Sequence, residues 1–390
     1  MADWSKLPAD VLGLIARQLH FAEDRLRFGM VCKSWRMVML QTDSYSCSLL
    51  PWLMLTEKEE SDMRRVYSPF NKKVYEISLP EIRGRRCWGS PHGWLVTLDA
   101  AYNMHLLNPL SRVQIFLPPL HKCSNLKSLV CCPESFRNTF VYKAVLTSDP
   151  YSANCVVLAI YSDNKMAFAK PDDVAWTPIQ CGSSLVNDVI CFGGNFYAID
   201  SSGDITICNS EGSHLKTISL PVQDVDNELG ETSIYLVELG GQIHVVQRIM
   251  YDTKVYDLPV LRTWNFVIYR VDVCTEKWEE VKSLGDWSIF IGSNHSFSIS
   301  ASDYPACLRN CIYFTDDYSG LYYNTTTYST YDMGTYDLDG PRIRTFLRED
   351  VSRFKFSLPV WIKPSFCNQS LRLSESKKLV CKDSMYCCNE

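Results

Sequence analysis

No Cys-x-x-Cys occurs in this chain, although it has 17 Cys, and its 7 His form no tight cluster with them. A zinc site needs closely spaced thiolates or imidazoles, so the pattern speaks against one. The same scatter, with an odd count, speaks against a disulfide framework and for reduced thiols packed as small hydrophobes. Catalytic signatures are missing too. There is no Gly-x-Ser-x-Gly, no His-Glu-x-x-His and no glycine-rich loop leading into a helix. Gly193-Gly194 and Gly240-Gly241 read as turn glycines, because no helical pattern follows them to cradle a phosphate. Met1-Ala2-Asp3-Trp4-Ser5 lacks the basic and then apolar pattern of a leader, and no apolar run reaches the length of a membrane span. Excess positive charge is lacking as well: the net charge is −5, against the basic face that nucleic-acid binding requires. These absences predict a cytoplasmic or nuclear protein with no cofactor and no metal. They also leave the sequons at Asn294, Asn324 and Asn368 without meaning.

Apolar residues make up 46% of the 390 and charged residues 21%, a globular balance. Aromatics reach 12%, with 21 Tyr and 10 Trp, which favours strands.

The one clear helical pattern lies in the first forty residues. Pro8 suits a first helical turn, where its missing N–H removes no bond. Val11, Leu12, Ile15 and Leu19 fall on one stripe, which Leu14 widens. His20-Phe21-Ala22 breaks the pattern, and Glu23-Asp24 opens a second helix with Leu26, Met30 and Val31 inward. Gly29 inside that helix costs about 1 kcal/mol relative to Ala. Ser34 through Leu40 makes a third short helix. Forty residues bury little surface alone, so part of the stripe is expected to need another polypeptide. Residues 43–66 read as a linker, and the run Glu57-Lys58-Glu59-Glu60-Ser61-Asp62-Met63-Arg64-Arg65 as a solvated face.

From there the period changes to two. Gly93–Leu98, Met104–Asn108 and Val113–Pro118 follow one plan: turn glycine, strand, polar turn, strand ending in Asn, strand ending in Leu-Pro. Gly194–Ile199, Asp204–Asn209 and Leu215–Pro221 repeat it, with the two Leu-Pro pairs 103 positions apart. Trp176 and Trp278 stand 102 apart, and Gly194 and Gly241 stand 47 apart. These are single and double steps of a unit near fifty residues. Strands are also expected at Val141–Leu146, Cys155–Tyr161, Met166–Lys170 and Trp176–Ile179. Further ones are expected at Gln242–Gln247, Phe266–Val273, Trp278–Val281, Phe297–Ser300, Cys311–Thr315 and Thr335–Leu338. Four short strands per unit predict a β-propeller rather than a sandwich, with about six blades in 67–365. The fold class is therefore mainly β with a small all-α N-terminal domain: head 1–42, linker 43–66, propeller 67–365 and a loose tail 366–390.

The head resembles an F-box. Leu7-Pro8, Asp10, Leu12, Ile15, Leu19, Leu26 and Val31-Cys32-Lys33-Ser34-Trp35-Arg36 carry the resemblance. The body resembles the plant family called domain of unknown function 295. It does so through Ser90-Pro91-His92-Gly93-Trp94-Leu95, Leu107-Asn108-Pro109-Leu110-Ser111, Phe192 to Asp200, Trp278 to Asp286, Ile289-Phe290-Ile291-Gly292, Asn310 to Asp317 and Pro359-Val360-Trp361-Ile362. The resemblance implies a non-catalytic substrate receptor of a Skp–cullin–F-box ubiquitin ligase. The Skp-type adaptor would be held by Leu7, Pro8, Leu12, Ile15, Leu19, Val31 and Trp35, and an unassigned client protein by the propeller. Trp35, Leu12 and Ile15 also have a second reading as plugs of the head's own core. Rival functions are a propeller enzyme or small-molecule binder, which needs a deep central pocket, and a scaffold acting outside a ligase. Arg83, Arg85 and Arg86, and Arg342, Arg344, Arg348, Arg353 and Lys355, form basic groups that read first as solvated surface. Asp316-Asp317, Asp337 and Asp339 lack the spacing of a calcium loop and read as turn residues.

Overall fold

A strand that is apolar on both faces needs cover on both sides, and here six sheets supply it to one another around a ring. The computed structural model describes residues 4–42, 49–57, 61–120, 137–162, 165–179, 186–220, 230–255, 258–317, 332–340, 342–346 and 358–365. Three helices come first: α1 (Ala9–Arg17), α2 (Ala22–Met30) and α3 (Lys33–Thr42), after a 3₁₀ turn at Trp4–Lys6. Blade one contains β1 (Trp52–Met54), β2 (Met63–Ser68) and β3 (Lys73–Ser78). Blade two contains β4 (Arg86–Gly89), β5 (Leu95–Leu98), β6 (Met104–Leu107) and β7 (Gln114–Phe116). Blade three contains β8 (Val141–Leu146), β9 (Val157–Tyr161), β10 (Lys165–Ala169) and β11 (Thr177–Ile179). Blade four contains β12 (Val186–Phe192), β13 (Asn195–Asp200), β14 (Asp204–Cys208) and β15 (His214–Ser219). Blade five contains β16 (Gly230–Leu239), β17 (Gln242–Val255), β18 (Leu258–Asp272) and β19 (Lys277–Glu280). Blade six contains β20 (Trp287–Ile291), β21 (Phe297–Ser300), β22 (Cys311–Phe314), β23 (Gly334–Asp337) and β24 (Arg342–Thr345). The last strand, β25 (Val360–Ile362), returns to blade one and lies on the inner side of β1.

The fold is a six-bladed propeller. Its ring is closed by antiparallel pairing of Trp52 with Ile362, Leu53 with Trp361 and Met54 with Val360. Successive side chains on one strand serve different neighbours, as the pleat requires. Leu95 packs in the core between blades one and two, and the next residue, Val96, in the core between blades two and three. Val245 faces blade four and Val246 faces blade six.

The repeat seen in the sequence is the blade. The two Leu-Pro blocks are the second, third and fourth strands of blades two and four. Trp176 stands just before the outer strand of blade three and Trp278 lies within that of blade five, and Gly194 and Gly241 end the first turns of blades four and five.

Differences from expectation are local. The stretch 43–66, expected as a linker, contributes β1 and the start of β2. Glu57, expected on a solvated face, is 4% exposed and pairs with buried Arg64 at 2.7 Å. β17 runs on to Val255, and β18 begins at Leu258, well before Phe266. In blade six β20 pairs parallel with β22, and β21 folds back on its inner side. The expected tail 366–390 lies outside the described residues.

Candidate functional site

The helical head has its own small core. Leu12, Ala16, Phe28, Val38 and Met39 are buried together, with Leu7, Leu19 and Trp35 half-buried against them. Trp35 packs on Phe28 at 4.5 Å between ring centroids, and its indole N–H donates to the Trp4 carbonyl at 3.1 Å. α1 ends at Arg17, so Leu19 packs from the turn beyond it. The open carbonyls at that end meet Arg25. Its Nη2 donates to Ala16 O at 3.0 Å and its Nε to Leu19 O at 3.1 Å, from a side chain with 0% exposure. A cation at a helix C-terminus satisfies both the orphan carbonyls and the dipole. Gly29 lies where α2 meets α3: a Cβ there would sit 2.7 Å from Met39 Sδ.

The expected adaptor residues separate into three groups. Pro8, Ile15 and Val31 are exposed. Leu7, Leu19 and Trp35 are half-buried, and Leu12 is 1% exposed and belongs to the head's interior. Met30 and Val31, expected to point inward, are 61% and 54% exposed. Leu14 is 61% exposed and shares the outer face of α1 with Val11 and Ile15. Their spacing on a helix puts the three side by side. The head therefore carries large apolar side chains in water at two places, the outer face of α1 and the corner where α2 meets α3. Leu14 and Met30 are the additions that the stripe alone did not single out as exposed.

The head is tied to the ring. Leu50 N–H donates to His20 O at 2.9 Å. Phe21 packs on the core between blades six and one, and the His20 ring lies 6.1 Å from that of Tyr304. The residues that break the helical pattern thus form the joint.

The axis of the ring is a second candidate for function. The loop between β20 and β21 bridges it. His295 N–H donates to Gly89 O in blade two at 3.1 Å, and its Nδ1–H donates to Leu146 O in blade three at 2.9 Å. Asn294 Oδ1 accepts from Trp361 N–H in blade one at 3.3 Å, and Ser296 Oγ donates to Asp188 in blade four at 3.4 Å. Asp188 is wholly buried and pairs with Lys143 Nζ at 2.6 Å. Burial raises its pKa, against the pull of Lys143 and of the N–H groups of Leu236 and Val189. Burial also lowers His92 to about 4 and His295 to about 3, so both imidazoles are neutral near pH 7. Asn294, in a sequon, has 0% exposure.

The basic groups are largely spoken for. Arg83 pairs with Asp62, Arg85 with Asp99, and Arg86 donates to Asn138 O. Arg342 and Arg344 lie exposed on β24, while 348, 353 and 355 fall outside the described residues. The carboxylates of Asp317 and Asp332 hold Arg248, and Tyr235 O–H also donates to Asp317. No group of three or more His, Cys, Asp or Glu gathers to hold a metal among the described residues. No described helix is long and apolar enough to cross a membrane.

Comparison with known proteins matches residues 4–46 to the F-box domain and residues 66–337 to the KIB1-4 beta-propeller. The chain is 27% identical to F-box protein At2g26160 of Arabidopsis thaliana over 340 residues, covering 81% of this chain and 96% of that one. It is 25% identical to F-box protein SKIP23 of the same plant, covering 86% and 87%. Among solved structures, apo AztD from Citrobacter koseri aligns with a TM-score of 0.34 at 8% identity, over 63% of this chain and 62% of that one.

Proposed function

This chain belongs to the KIB1-4 β-propeller family and carries an F-box ahead of the propeller, and from that footing we propose that it is the client receptor of a Skp–cullin–F-box ubiquitin ligase. The head docks a Skp-type adaptor and, through it, the cullin-RING core. The propeller holds a client protein so that its lysines lie within reach of ubiquitin. The chain's contribution is proximity, which raises the effective concentration of the client, and the bond-making stays with the ligase.

The observation that carries this reading is the set of large apolar side chains left in water on a head whose own core is already filled. Leu14 and Met30 are each 61% exposed, with Val31, Val11 and Ile15 also exposed. Covering a fully exposed side chain of this size stabilises a complex by about 1.5–3 kcal/mol. Pro8, Ile15 and Val31 touch the adaptor directly in this reading, and Leu7, Leu19 and Trp35 do so along their open edges. Leu12 acts from inside, by holding α1 in place.

The test is adaptor binding measured by calorimetry with the full chain. Leu14→Asp with Met30→Asp changes only exposed positions, so the head keeps its helices. Affinity should fall about a hundred-fold or more. Val174→Asp on the propeller, where the valine is 87% exposed, is the control and should bind as the parent does. Unchanged binding by the double variant overturns the reading.

A further inference from the structure

Blades five and six enclose a cleft of about 260 Å³ beside the Gly240–Gly241 turn. Pockets for drug-sized ligands run from roughly 300 to 1,000 Å³, so this one is sized for a single residue. Leu239, Val281, Leu284 and Trp287 give it apolar walls, and Arg270, His244, Gln242 and Ser283 give it polar groups. The tautomer of His244 is fixed by its neighbour. Nδ1 lies 3.3 Å from the Gln242 carbonyl, which can only accept, so Nδ1 carries the proton. Burial keeps the ring neutral, which leaves Nε2 as an acceptor. Arg270 is bonded to Glu279, but the two side chains are 44% and 60% exposed. A pair this open to water contributes little and exchanges readily for a better one.

These groups ask for a ligand with three features on one residue: an apolar side chain, a carboxylate and an N–H. An internal Asp or Glu lacks the apolar body, and an internal Leu or Phe lacks the carboxylate. We propose that the cleft captures the C-terminal residue of a client chain, its apolar side chain against Leu239, Val281, Leu284 and Trp287 and its free carboxylate on Arg270. The amide N–H of that residue donates to His244 Nε2. Glu279 is the competitor that the incoming carboxylate displaces. This deepens the client-receptor reading and rests on it.

The probes are fluorescein-labelled octapeptides ending in Leu, Phe or Trp, each with a free carboxylate or as the amide, titrated by anisotropy into the full chain without adaptor. At least one free-acid peptide should bind, and its amide should bind about ten-fold or more weakly, the loss expected for a hydrogen-bonded charge. Arg270→Gln should weaken the free acid by a similar factor. Glu279→Gln, which removes the competitor at an exposed site, should tighten it. Equal binding of acid and amide overturns the proposal. So does equal binding of a peptide with an internal Asp in place of the terminal acid, indifference to Arg270→Gln in a variant whose melting is unchanged, or no binding up to about 1 mM. Because no adaptor is present, a negative result leaves the docking role of the head untouched.

Discussion

Arg25 shows what single residues do here that a sequence pattern does not announce. A charged side chain is read as surface by default, yet this one is sealed inside the head as the C-terminal cap of α1. Glu57 and Arg64 behave in the same way. Their run of charges looks solvated, but each is held in the interior, Glu57 by Gly84 N–H and Arg64 and Arg64 by the Ile82 carbonyl as well. What hides them from a sequence reading is that the backbone groups completing their bonding, Gly84 N–H and Ile82 O, lie further along the chain. The exposed contacts of the head were partly legible: Ile15 lies on the stripe and Val31 comes with the F-box resemblance, while the outward turn of both Met30 and Val31 depends on how α2 packs on α3. His92 and His295 give a prediction at this scale. Their neutral forms are favoured in the folded ring, His295 by burial and by nearby His92 and Lys143, and His92 by burial and Lys363 against the opposing charge of Asp149. The unfolded chain takes up these protons near pH 6.5 and the folded chain only near 4 and 3, so the unfolded state binds more protons between those values. Stability is full above pH 6.5 and falls as pH drops from there towards 4. Urea midpoints at pH 7 and pH 5 measure this, and His295→Gln should flatten the difference.

Elements were legible where local pattern suffices to define them. Val141–Leu146 and Phe297–Ser300 are strands over the expected residues, because alternating apolar side chains need no distant information to be recognised. β1 was not found. It is three residues long and owes its existence to β2 and to β25, which arrives from the far end of the chain. The parallel pairing of β20 with β22 is hidden for the same reason, since neither strand is the other's hairpin partner. Close approach at the seam between blades one and two sets a sharp demand. Gly93 has φ +83°, and a Cβ there would lie 1.8 Å from Ser365 Oγ. Gly89 has no such strain, but its Cβ would lie 1.8 Å from the Trp361 carbonyl oxygen. Gly89→Val should therefore push β25 off its place and lower the denaturant midpoint by the equivalent of about 3 kcal/mol or more, in the range of severe core changes. Trp361 fluorescence should shift to the red in the same variant as the buried indole meets water.

At the scale of the molecule, the spacing of fifty and one hundred residues disclosed the ring, but not how it closes. Phe290 and Tyr313 of blade six stack at 4.4 Å, and Trp361 of the final strand meets Phe290 edge-on at 5.2 Å. The seam that joins first blade to last is thus built from aromatics contributed by both. A chain cut before residue 358 lacks β25 and the Trp361 side of that seam. It should lose its single cooperative melting transition and aggregate on heating, which scanning calorimetry against the full chain measures. The closing pair has a further consequence in the cell. Residue 54 emerges from the ribosome long before its partner at 360 is made, a delay of roughly 15–60 s at ordinary elongation rates. During that time the head is complete and exposed while the ring is still open. If the head docks a ligase as proposed, a nascent chain can recruit it before the ring can hold a client, and the half-made receptor itself becomes the nearest source of lysines.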